Sequence, residues 1–335
     1  MTTSNLFEQQ ETSKTLSSRR EILFLYDIRM GNPNGDPDEN RPRVLPDGTH
    51  YVTDVRLKRF VRDYFKSQGQ DILVDTIEGK TTNLTGRVAD YLNKHDQAKA
   101  DGQELVKILQ DSFIDARLFG SSYAFKDSKE FKVKAKPKPV TGATQFNHGE
   151  VLHRAQELDI HGTTTFGSEE QKTQGTFTTY FGLRYALIGF NGISNEHSAK
   201  ISRMTDDDYQ DLLKALWNSV RSSANTRSKM GQVPRLLVSI EYKAKSEFQF
   251  GSLLDYVQMS ASNGKEENEW SSPKDYILDL SLLEERLKMF ASKIETVRYQ
   301  ISPDIQLATS QPFESLGGSV QCKDMDLENL NGEGH

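Results

Sequence analysis

Hydrophobic positions near the start of the chain predict a strand followed by a helix. Residues 21–28 are apolar on both faces, which is typical of a central strand. Apolar residues then recur at helical spacing from Thr53, which can cap the helix, to Gly69, which can end it. The predicted apolar stripe of this helix consists of Leu57, Phe60, Val61, Tyr64 and Phe65.

The second half of the chain predicts a longer strand and a longer helix. Residues 175–190 are rich in aromatic and aliphatic side chains, and Gly182 and Gly189 within them indicate bulges or a close approach of another segment. Thr205 is followed by three aspartates, which favour the positive end of a helix dipole and so predict a helix start. The predicted stripe of that helix is Tyr209, Leu212, Leu213, Leu216, Trp217 and Val220.

The remaining patterns complete an α+β order. Residues 235–242 predict a strand, residues 105–113 a short helix and residues 282–297 a late helix. Residues 67–103 are polar without strong periodicity, which indicates an insertion. Strand, helix, strand-rich middle, long strand, helix and strand is the order of a ferredoxin-like or RRM-like α+β sandwich.

Composition adds constraints on size and compartment. The 335 residues are 35% hydrophobic, which suffices for one elaborated domain with much solvated loop. The single cysteine, Cys322, excludes a disulfide framework or a cysteine-based zinc site and fits a reducing cytoplasm. No apolar signal core or membrane-spanning run occurs, so we expect a soluble cytoplasmic protein. The predicted division is a flexible N-terminus (1–20), one domain (21–311) with insertions at about 67–103 and 121–175, and a flexible acidic tail (312–335).

Positive charge is concentrated in two segments, although the formal net charge of the chain is -6. Residues 41–62 hold six basic side chains against two acidic ones, and residues 126–138 hold six lysines against two acidic residues. Acidic residues are concentrated in the tail, over residues 324–333. This segregation fits a nucleic-acid binder, and it fits ordinary solvated faces equally well.

The 31–43 loop and the helix after it form the first candidate grip for a phosphodiester chain. Glycine, asparagine and proline shape this loop so that it can present backbone N–H groups to an anion, and it is not a Walker loop. Lys58, Arg59 and Arg62 share one helical face close after Thr53, which suits successive phosphates of a single strand. A shaped turn without ligand and a solvated basic face are the alternatives.

Three further segments offer basic or amide side chains. Residues 132–138 place lysines at period two, so an extended chain would align them, and a disordered basic loop would have the same composition. Residues 141–154 combine amides, an aromatic ring and an arginine, which suits unstacked bases, and residues 226–229 form a cationic turn. The candidate RNA-binding residues are Asn32, Asn34, Arg41, Arg43, Thr53, Arg56, Lys58, Arg59, Arg62, Lys134, Lys136, Lys138, Gln145, Phe146, Asn147, Arg154, Arg227 and Lys229.

Catalytic constellations do not come together in the sequence. His148, His153 and His161 lack the helical spacing of metal ligands, and no Gly-x-Ser-x-Gly elbow occurs. Asp36 is the acidic residue that we expect to find beside a bound strand, and a lone acid is weak support for cleavage. The sequence therefore predicts a protein without a catalytic site, a metal or a cofactor.

Five motifs in a fixed order resemble a known family. They are residues 31–37 (Gly-Asn-Pro-Asn-Gly-Asp-Pro), 52–59, 115–120, 141–147 and 226–232. Together they resemble the backbone subunit of type I CRISPR Cascade complexes in the RAMP superfamily, with the subtype I-B (Csh-type) branch as the nearest match. The resemblance covers roughly residues 20–245.

The resemblance implies an RRM-like palm with helical insertions and a thumb-like β-hairpin. It implies that copies stack along the CRISPR RNA into a helical filament together with other Cascade subunits. The guide would then pair with a target DNA strand, which a trans-acting helicase-nuclease cuts. By position, the guide-contacting residues would be Thr53, Lys58, Arg59 and Arg62 on the helix, residues 32–36 in the same groove, and Gln145, Phe146 and Asn147 near the RNA.

Two positions qualify what the resemblance implies. Glu150 stands where the family often has a basic residue, so we expect no phosphate contact there. Asp36 lies in a loop comparable to the one that carries the cleaving acid of related type III subunits, although the type I resemblance implies a structural role. The runner-up hypothesis is therefore a metal-dependent ribonuclease that cleaves bound target RNA through Asp36. A pre-CRISPR RNA processing enzyme would need a well-placed histidine, which we do not find.

Overall fold

The secondary structure is seen in a computed structural model that describes residues 14–77, 79–95, 102–126, 138–163, 177–316 and 320–327. The α-helices are α1 (Asp54–Ser67), α2 (Leu84–Lys94), α3 (Gly102–Ser112), α4 (Ile114–Phe119), α5 (Glu196–Ser202), α6 (Asp206–Ser222) and α7 (Ser281–Met289). The strands are β1 (Arg20–Gly31), β2 (Tyr51–Val52), β3 (Gly120–Ser121), β4 (Val140–Thr141), β5 (Thr144–Phe146), β6 (Gly149–Val151), β7 (Glu157–Thr163), β8 (Phe177–Ser194), β9 (Val233–Tyr242), β10 (Gln258–Ala261), β11 (Tyr276–Asp279), β12 (Ile294–Ile301), β13 (Gln306–Leu307) and β14 (Gln321–Asp324).

A nine-stranded sheet organises the described part of the chain. Its order is β14-β12-β9-β1-β8-β6-β2, and β5 and β7 also pair with β8. The central strand β1 runs antiparallel to both β8 and β9, so that Phe24 lies opposite Phe190 on one side and Leu237 on the other. With several helices around this sheet, the structure confirms the α+β class.

Separate hydrophobic clusters cover the two faces of the sheet. On one face, α1 and α6 pack over Tyr26 of β1 through residues such as Phe60 and Trp217. On the other face, α7 and a small sheet of β10, β11 and β13 cover Leu25 of β1, and Tyr276 of β11 belongs to the same cluster. A third cluster lies among α2, α3 and α4. Because β1 is buried on both faces, it is the central strand that its sequence predicted.

The predicted caps and stripes of α1 and α6 are confirmed. The Thr53 side chain accepts a hydrogen bond from the backbone N–H of Arg56, and Thr205 forms a capping box with Asp208. Four residues of the α1 stripe are buried and Tyr64 packs against their cluster, while all six residues of the α6 stripe are buried. In both helices the apolar face therefore faces the sheet.

The long strand β8 accommodates two close approaches at its glycines. A Cβ atom on Gly189 would lie 2.4 Å from Leu254 Cδ2, and one on Gly182 would lie 3.0 Å from the carbonyl oxygen of Gly31. The expectation of a close approach is therefore confirmed at both positions. The strand continues to Ser194, beyond the predicted end at residue 190.

The late helix was predicted too long. It ends at Met289, and Ile294 begins β12, which pairs antiparallel with β9. Leu283, Leu287, Phe290 and Ile294 happen to follow helical spacing. However, the β-branched residues that follow form ladder contacts with β9, and this pairing decides the structure.

Residues 67–103 are more regular than predicted. The Asn83 side chain caps α2 by accepting from the backbone N–H of Gly86, and α3 begins at Gly102. The apolar stripe of α2 is narrow, with Val88 and Leu92 buried one turn apart. Such a narrow stripe does not produce the broad periodic pattern that predicts a helix. The short helix predicted over residues 105–113 corresponds to α3.

Parts of both predicted flexible ends pack onto the sheet and its helices. Leu16 is buried, and its backbone N–H donates to the carbonyl oxygen of Met204. Phe313 is also buried, and β14, which contains Cys322, pairs in parallel with β12. These contacts concern the described portions alone, and the predicted division into flexible ends and one domain at residues 20 and 311 stays a prediction. No helix in the described ranges is long and apolar enough to cross a membrane.

Candidate nucleic-acid interface

The 31–43 loop is joined to the start of α1 and to the 226–229 turn. The backbone N–H of Asn32 donates to the carbonyl oxygen of Ser228 at 3.0 Å. Asn34 Oδ1 accepts from both the backbone N–H and the hydroxyl of Thr53, at 2.9 and 2.8 Å. Two separate motifs of the sequence therefore meet at the capped end of α1.

Asp36 holds the shape of the 31–43 loop. Its Oδ1 accepts the backbone N–H groups of Asp38, Glu39 and Asn40 at 2.9, 2.8 and 3.1 Å. These bonds, above all the one from Glu39, hold the pKa of the Asp36 carboxyl below its usual value. A Cβ atom on the neighbouring Gly35 would lie 1.9 Å from Asn40 Oδ1, so a larger residue there would displace the Asn40 side chain. The carboxylate thus works as the centre of a turn, which fits the structural role implied for it.

Lys229 attaches the 226–229 turn to the same loop. Its ammonium donates to the carbonyl oxygen of Asn32 and, at 2.9 Å, to that of Pro33. Burial, together with repulsion from Arg56, lowers the pKa of Lys229 to about 7. Lys229 therefore positions the loop as well as supplying charge.

Arg56 lies in the first turn of α1 and forms no ion pair with a carboxylate among the residues that the structure describes. Its guanidinium stacks on the ring of Phe60, 4.3 Å from the centroid, and its Nε is buried without a hydrogen-bond partner. Burial lowers the pKa of Arg56. Arg43 in the 31–43 loop likewise has a buried Nε without a partner. In the described part of the chain, no carboxylate forms an ion pair with either guanidinium, so an anion would have to reach them through their other nitrogen atoms, because the two Nε atoms are closed to solvent.

Two arginines of the site stack on neighbouring rings of β8. Arg41 lies 3.7 Å from the ring centroid of Phe181, and Arg227 lies 4.7 Å from that of Tyr180. Arg41 also donates to Glu39 at 2.7 Å. These cation–π contacts link the 31–43 loop and the 226–229 turn to the β7–β8 hairpin. Tyr180 and Phe181 were not among the candidates predicted from the sequence, because the residue pattern of a strand does not show which loop will contact that strand.

The basic face of α1 is neutralised by acidic partners, which the sequence did not reveal. Each cation forms one ion pair with a carboxylate. The pairs are Lys58–Asp54 at 2.9 Å, Arg59–Asp63 at 2.6 Å, Arg62–Asp115 at 2.8 Å and Lys66–Asp75 at 2.8 Å. Lys58 also donates to Gln145 Oε1 at 3.0 Å. Their expected contacts with RNA stay a prediction, and each would compete with an existing partner.

The motif at residues 115–120 holds the helical insertion together. Asp115, whose side chain is 1% exposed, binds Arg62 and also accepts the backbone N–H of Leu73 at 2.8 Å. Arg117 forms two hydrogen bonds with the carboxylate of Asp208, at 2.8 and 2.7 Å. The motif therefore joins α4 to α1 and α6 through buried charge pairs.

Residues 141–154 lie beside the start of α1, with differing exposure. Phe146 is buried and packs against Gly192, so its ring is part of the core and not a free surface for a base. Asn147 Oδ1 accepts the backbone N–H of Asn191 at 2.9 Å. Arg154 is exposed, and its backbone N–H donates to Glu267. The sequence could not distinguish the buried ring of Phe146 from the exposed side chains of Asn147 and Arg154.

Several other candidates lie elsewhere or outside the description. Lys138 is exposed just before β4, which pairs with β3 next to the helical insertion. Lys134 and Lys136 lie outside the described residues. Glu150 is exposed on β6.

The histidines considered as metal ligands have separate surroundings. His153 is buried, and its Nε2 accepts the backbone N–H of Leu187, while burial lowers its pKa to about 4. His148 lies 3.3 Å from Asp54, and His161 lies 3.6 Å from Asp159. Within the described ranges, no three side chains of histidine, cysteine, aspartate or glutamate are grouped as a metal site would require.

Three comparisons with known proteins bear on this arrangement. The family model described as CRISPR-associated protein Cas7 matches residues 18–281. A CRISPR-associated protein Cas7 from Haloferax volcanii is 30% identical over 298 residues, which cover 84% of this chain and 86% of that protein. A chain from a solved CRISPR RNA-guided surveillance complex, pre-nicking, superposes with a TM-score of 0.50 and 12% identity, over 94% of this chain and 98% of that one. The last likeness concerns the fold.

Proposed function

This chain belongs to the Cas7 family of CRISPR-associated proteins, and from that premise we propose that it is a guide-binding backbone subunit. Its ligand is the CRISPR RNA, held through the sugar-phosphate backbone. The proposal extends to a subtype I-B-like Cascade complex in the cytoplasm. There, copies of the chain stack along the guide with other Cascade subunits and present it to a target DNA strand, which a recruited helicase-nuclease cuts.

The convergence of positive charge around the 31–43 loop carries this proposal. Arg43, Arg56, Arg227 and Lys229 come from three separate segments and meet there, and within the described residues none of the four forms an ion pair with a carboxylate. Single-stranded nucleic acid is held by grooves that combine such charge with aromatic rings. The net charge of -6 then lies on other surfaces, where it would oppose nonspecific binding.

The sheet order supports an RRM-like palm. The strands β9, β1, β8 and β6 lie side by side, and α1 and α6 share one face. This is the order of a ferredoxin-like sandwich in which the fourth, first, third and second strands are neighbours. The β7–β8 hairpin, stacked on by Arg41 and Arg227, is our candidate for the thumb.

We propose a non-catalytic role for Asp36. Its Oδ1 accepts three backbone N–H groups, so the carboxylate supports the 31–43 loop beneath the RNA. Because Oδ1 holds the turn, cleavage through Asp36 would leave Oδ2 as the oxygen that binds a metal ion.

A nuclease footprint on labelled CRISPR RNA tests the proposed function. We expect the chain alone to protect segments of the RNA at a fixed repeat, with and without Mg²⁺, because identical copies would occupy identical lengths of guide. RNA of the same length with a scrambled sequence serves as the control for sequence-independent backbone contact. Product bands that need Mg²⁺ and appear before the nuclease is added would favour the ribonuclease hypothesis, and an unprotected RNA would contradict both.

A further inference from the structure

A cleft between α1 and the segment from the end of α6 to Lys229 contains two positive side chains that form no ion pair with a carboxylate of the described residues. Its volume is about 500 Å³. The residues that line it are Arg56, Asp63, Ser67, Ser222, Ser223, Asn225, Thr226 and Lys229. Apart from the two cations and Asp63, the lining consists of hydroxyl and amide side chains.

Both cations are held in place before any ligand binds. Arg56 is fixed by stacking on Phe60, and its Nε is buried without a partner. Lys229 is fixed by two carbonyl oxygens of the 31–43 loop, which leaves one of its three N–H groups for a further acceptor. Since carbonyl oxygens carry no net charge, the two side chains remain an uncompensated pair that repel each other.

The acidic residue in the cleft is already engaged. Asp63 pairs with Arg59 one turn earlier on α1, at 2.6 Å. All other cations of α1 have their own carboxylate partners. Arg56 and Lys229 therefore differ from the other cations of the site, because within the described residues neither forms an ion pair, although the Asp63 carboxylate attracts the charge of Arg56 through space.

We propose that this cleft is a seat for a single phosphate group, bound jointly by Arg56 and Lys229. The identification of its ligand rests on the proposed function, under which the group is one phosphodiester of the guide. Inorganic phosphate shares the charge and the acceptor oxygens and is a suitable probe of the seat itself. Hydroxyl and amide groups of residues 222–226 supply neutral donors around it.

The salt dependence of RNA binding distinguishes one shared phosphate from two separate contacts. We expect Arg56→Gln and Lys229→Gln each to reduce the slope of log K against log salt by about 0.7, the value for one phosphate on a single strand. The slope of the double variant should fall by no more than the slope of either single variant, because all three variants remove the same phosphate contact. Arg298→Gln, which removes an equal charge from a cleft beside α6 and β12, is the matched control and should leave the slope unchanged. A double variant that loses about 1.4 would contradict the shared seat.

A variant that removes a negative charge from the cleft should strengthen binding, and a general weakening of the fold would not produce that result. Asp63→Asn removes the acidic residue from the cleft and should tighten RNA binding by several-fold. Asp90→Asn removes an acidic residue that also pairs within its helix, outside the cleft, and is the matched control. Unchanged affinity in Asp63→Asn would count against the seat.

Titration of inorganic phosphate separates the seat from the proposed function. With ¹⁵N-labelled arginine, the Nε–H signal of Arg56 should shift with phosphate and stay in place with chloride at equal ionic strength. A shift without any RNA binding by the full chain would keep the seat and reject the guide-binding role. RNA binding with an unresponsive Arg56 signal and a normal slope in Arg56→Gln would keep that role and overturn the seat.

Discussion

At the scale of single residues, the availability of a counter-ion separates side chains that look alike in the sequence. Lys58 and Lys229 are both lysines of the candidate set, but Lys58 has a carboxylate partner and Lys229 has two carbonyl oxygens. A carboxylate cancels the charge, whereas a carbonyl only orients it. The identity of the acceptor therefore determines which lysine can attract a phosphate at long range.

Lys229 should make RNA affinity depend on pH. Its pKa is lowered to about 7 by burial, so the free protein loses this charge as the pH rises through 7, whereas a bound phosphate would favour the protonated form. The charged groups that face it are Arg56 and, across the cleft, Asp63. We expect affinity to fall by up to about tenfold per pH unit above 7, as for uptake of one proton on binding.

Fluorescence anisotropy of labelled RNA between pH 6 and 9 measures this dependence. Lys229→Arg is the matched variant, since its guanidinium stays charged throughout and should give a flatter profile. Identical profiles for the two proteins would show that Lys229 is not the group that titrates.

Arg62 should contribute mainly to stability. Its partner Asp115 is almost fully buried, so Arg62→Met would leave an unpaired buried charge and lower the free energy of unfolding by about 3 kcal/mol. Urea denaturation measures this. Arg59→Met is the control, because its pair with Asp63 is partly exposed on both sides and should change stability by less than about 1 kcal/mol. Equal effects of the two substitutions would contradict the structural role of Arg62.

At the scale of elements, the 31–43 loop depends on one carboxylate oxygen. Asp36→Ala should expose the backbone N–H groups of residues 38–40 to faster hydrogen exchange and weaken RNA binding, because the loop loses three acceptor contacts. Asp36→Asn keeps an acceptor oxygen and should retain much of both. The contribution of Asp36 is present at neutral pH and is lost only in acid, since its folded-state pKa is lowered.

Exchange measured by mass spectrometry and binding measured on the same samples decide the point. A slow-exchanging loop in Asp36→Ala would mean that other contacts shape it. Loss of RNA cleavage in Asp36→Ala, with the loop intact, would instead revive the ribonuclease hypothesis.

The elements that could be predicted are those in which local pattern and final packing agree. In α1 and α6, a capping threonine, an apolar stripe and burial against the sheet all coincide. The stretch after Met289 fails because its helical spacing competes with pairing to a strand about 50 residues earlier, which no local pattern contains. The contacts of Tyr180 and Phe181 with distant arginines could not be predicted for the same reason.

The candidate site was predicted by residue type but not by charge balance. The sequence identified the basic residues of α1, yet Asp115 lies 53 positions after its partner Arg62. Long-range carboxylates of this kind decide which cations remain available. The 31–43 loop, by contrast, forms its turn from its own residues, and its shape was therefore within reach of the sequence.

At the scale of the whole molecule, charge and structure are divided between regions. The β1 end that carries the 31–43 loop collects Arg43, Arg56 and Lys229, which form no ion pair with a carboxylate within the described ranges. The described residues near the two ends of the chain pack elsewhere, with Leu16 against the segment just before α6 and β14 against β12. Under the proposed function, RNA would therefore contact the β1 end and not the packed segments near the two ends of the chain.

The single cysteine provides one attachment site for a distance label on each copy of the chain. Cys322 lies on β14, the outermost strand at one end of the main sheet, and no other cysteine competes for a reagent. Burial raises the pKa of its thiol, so attachment of a spin label calls for mildly alkaline conditions. Under the proposed function, one spin label on Cys322 of each copy would report the distance between neighbouring subunits on a guide, measured by pulsed electron paramagnetic resonance. The native chain thus offers a direct measure of the helical repeat, with no engineered site.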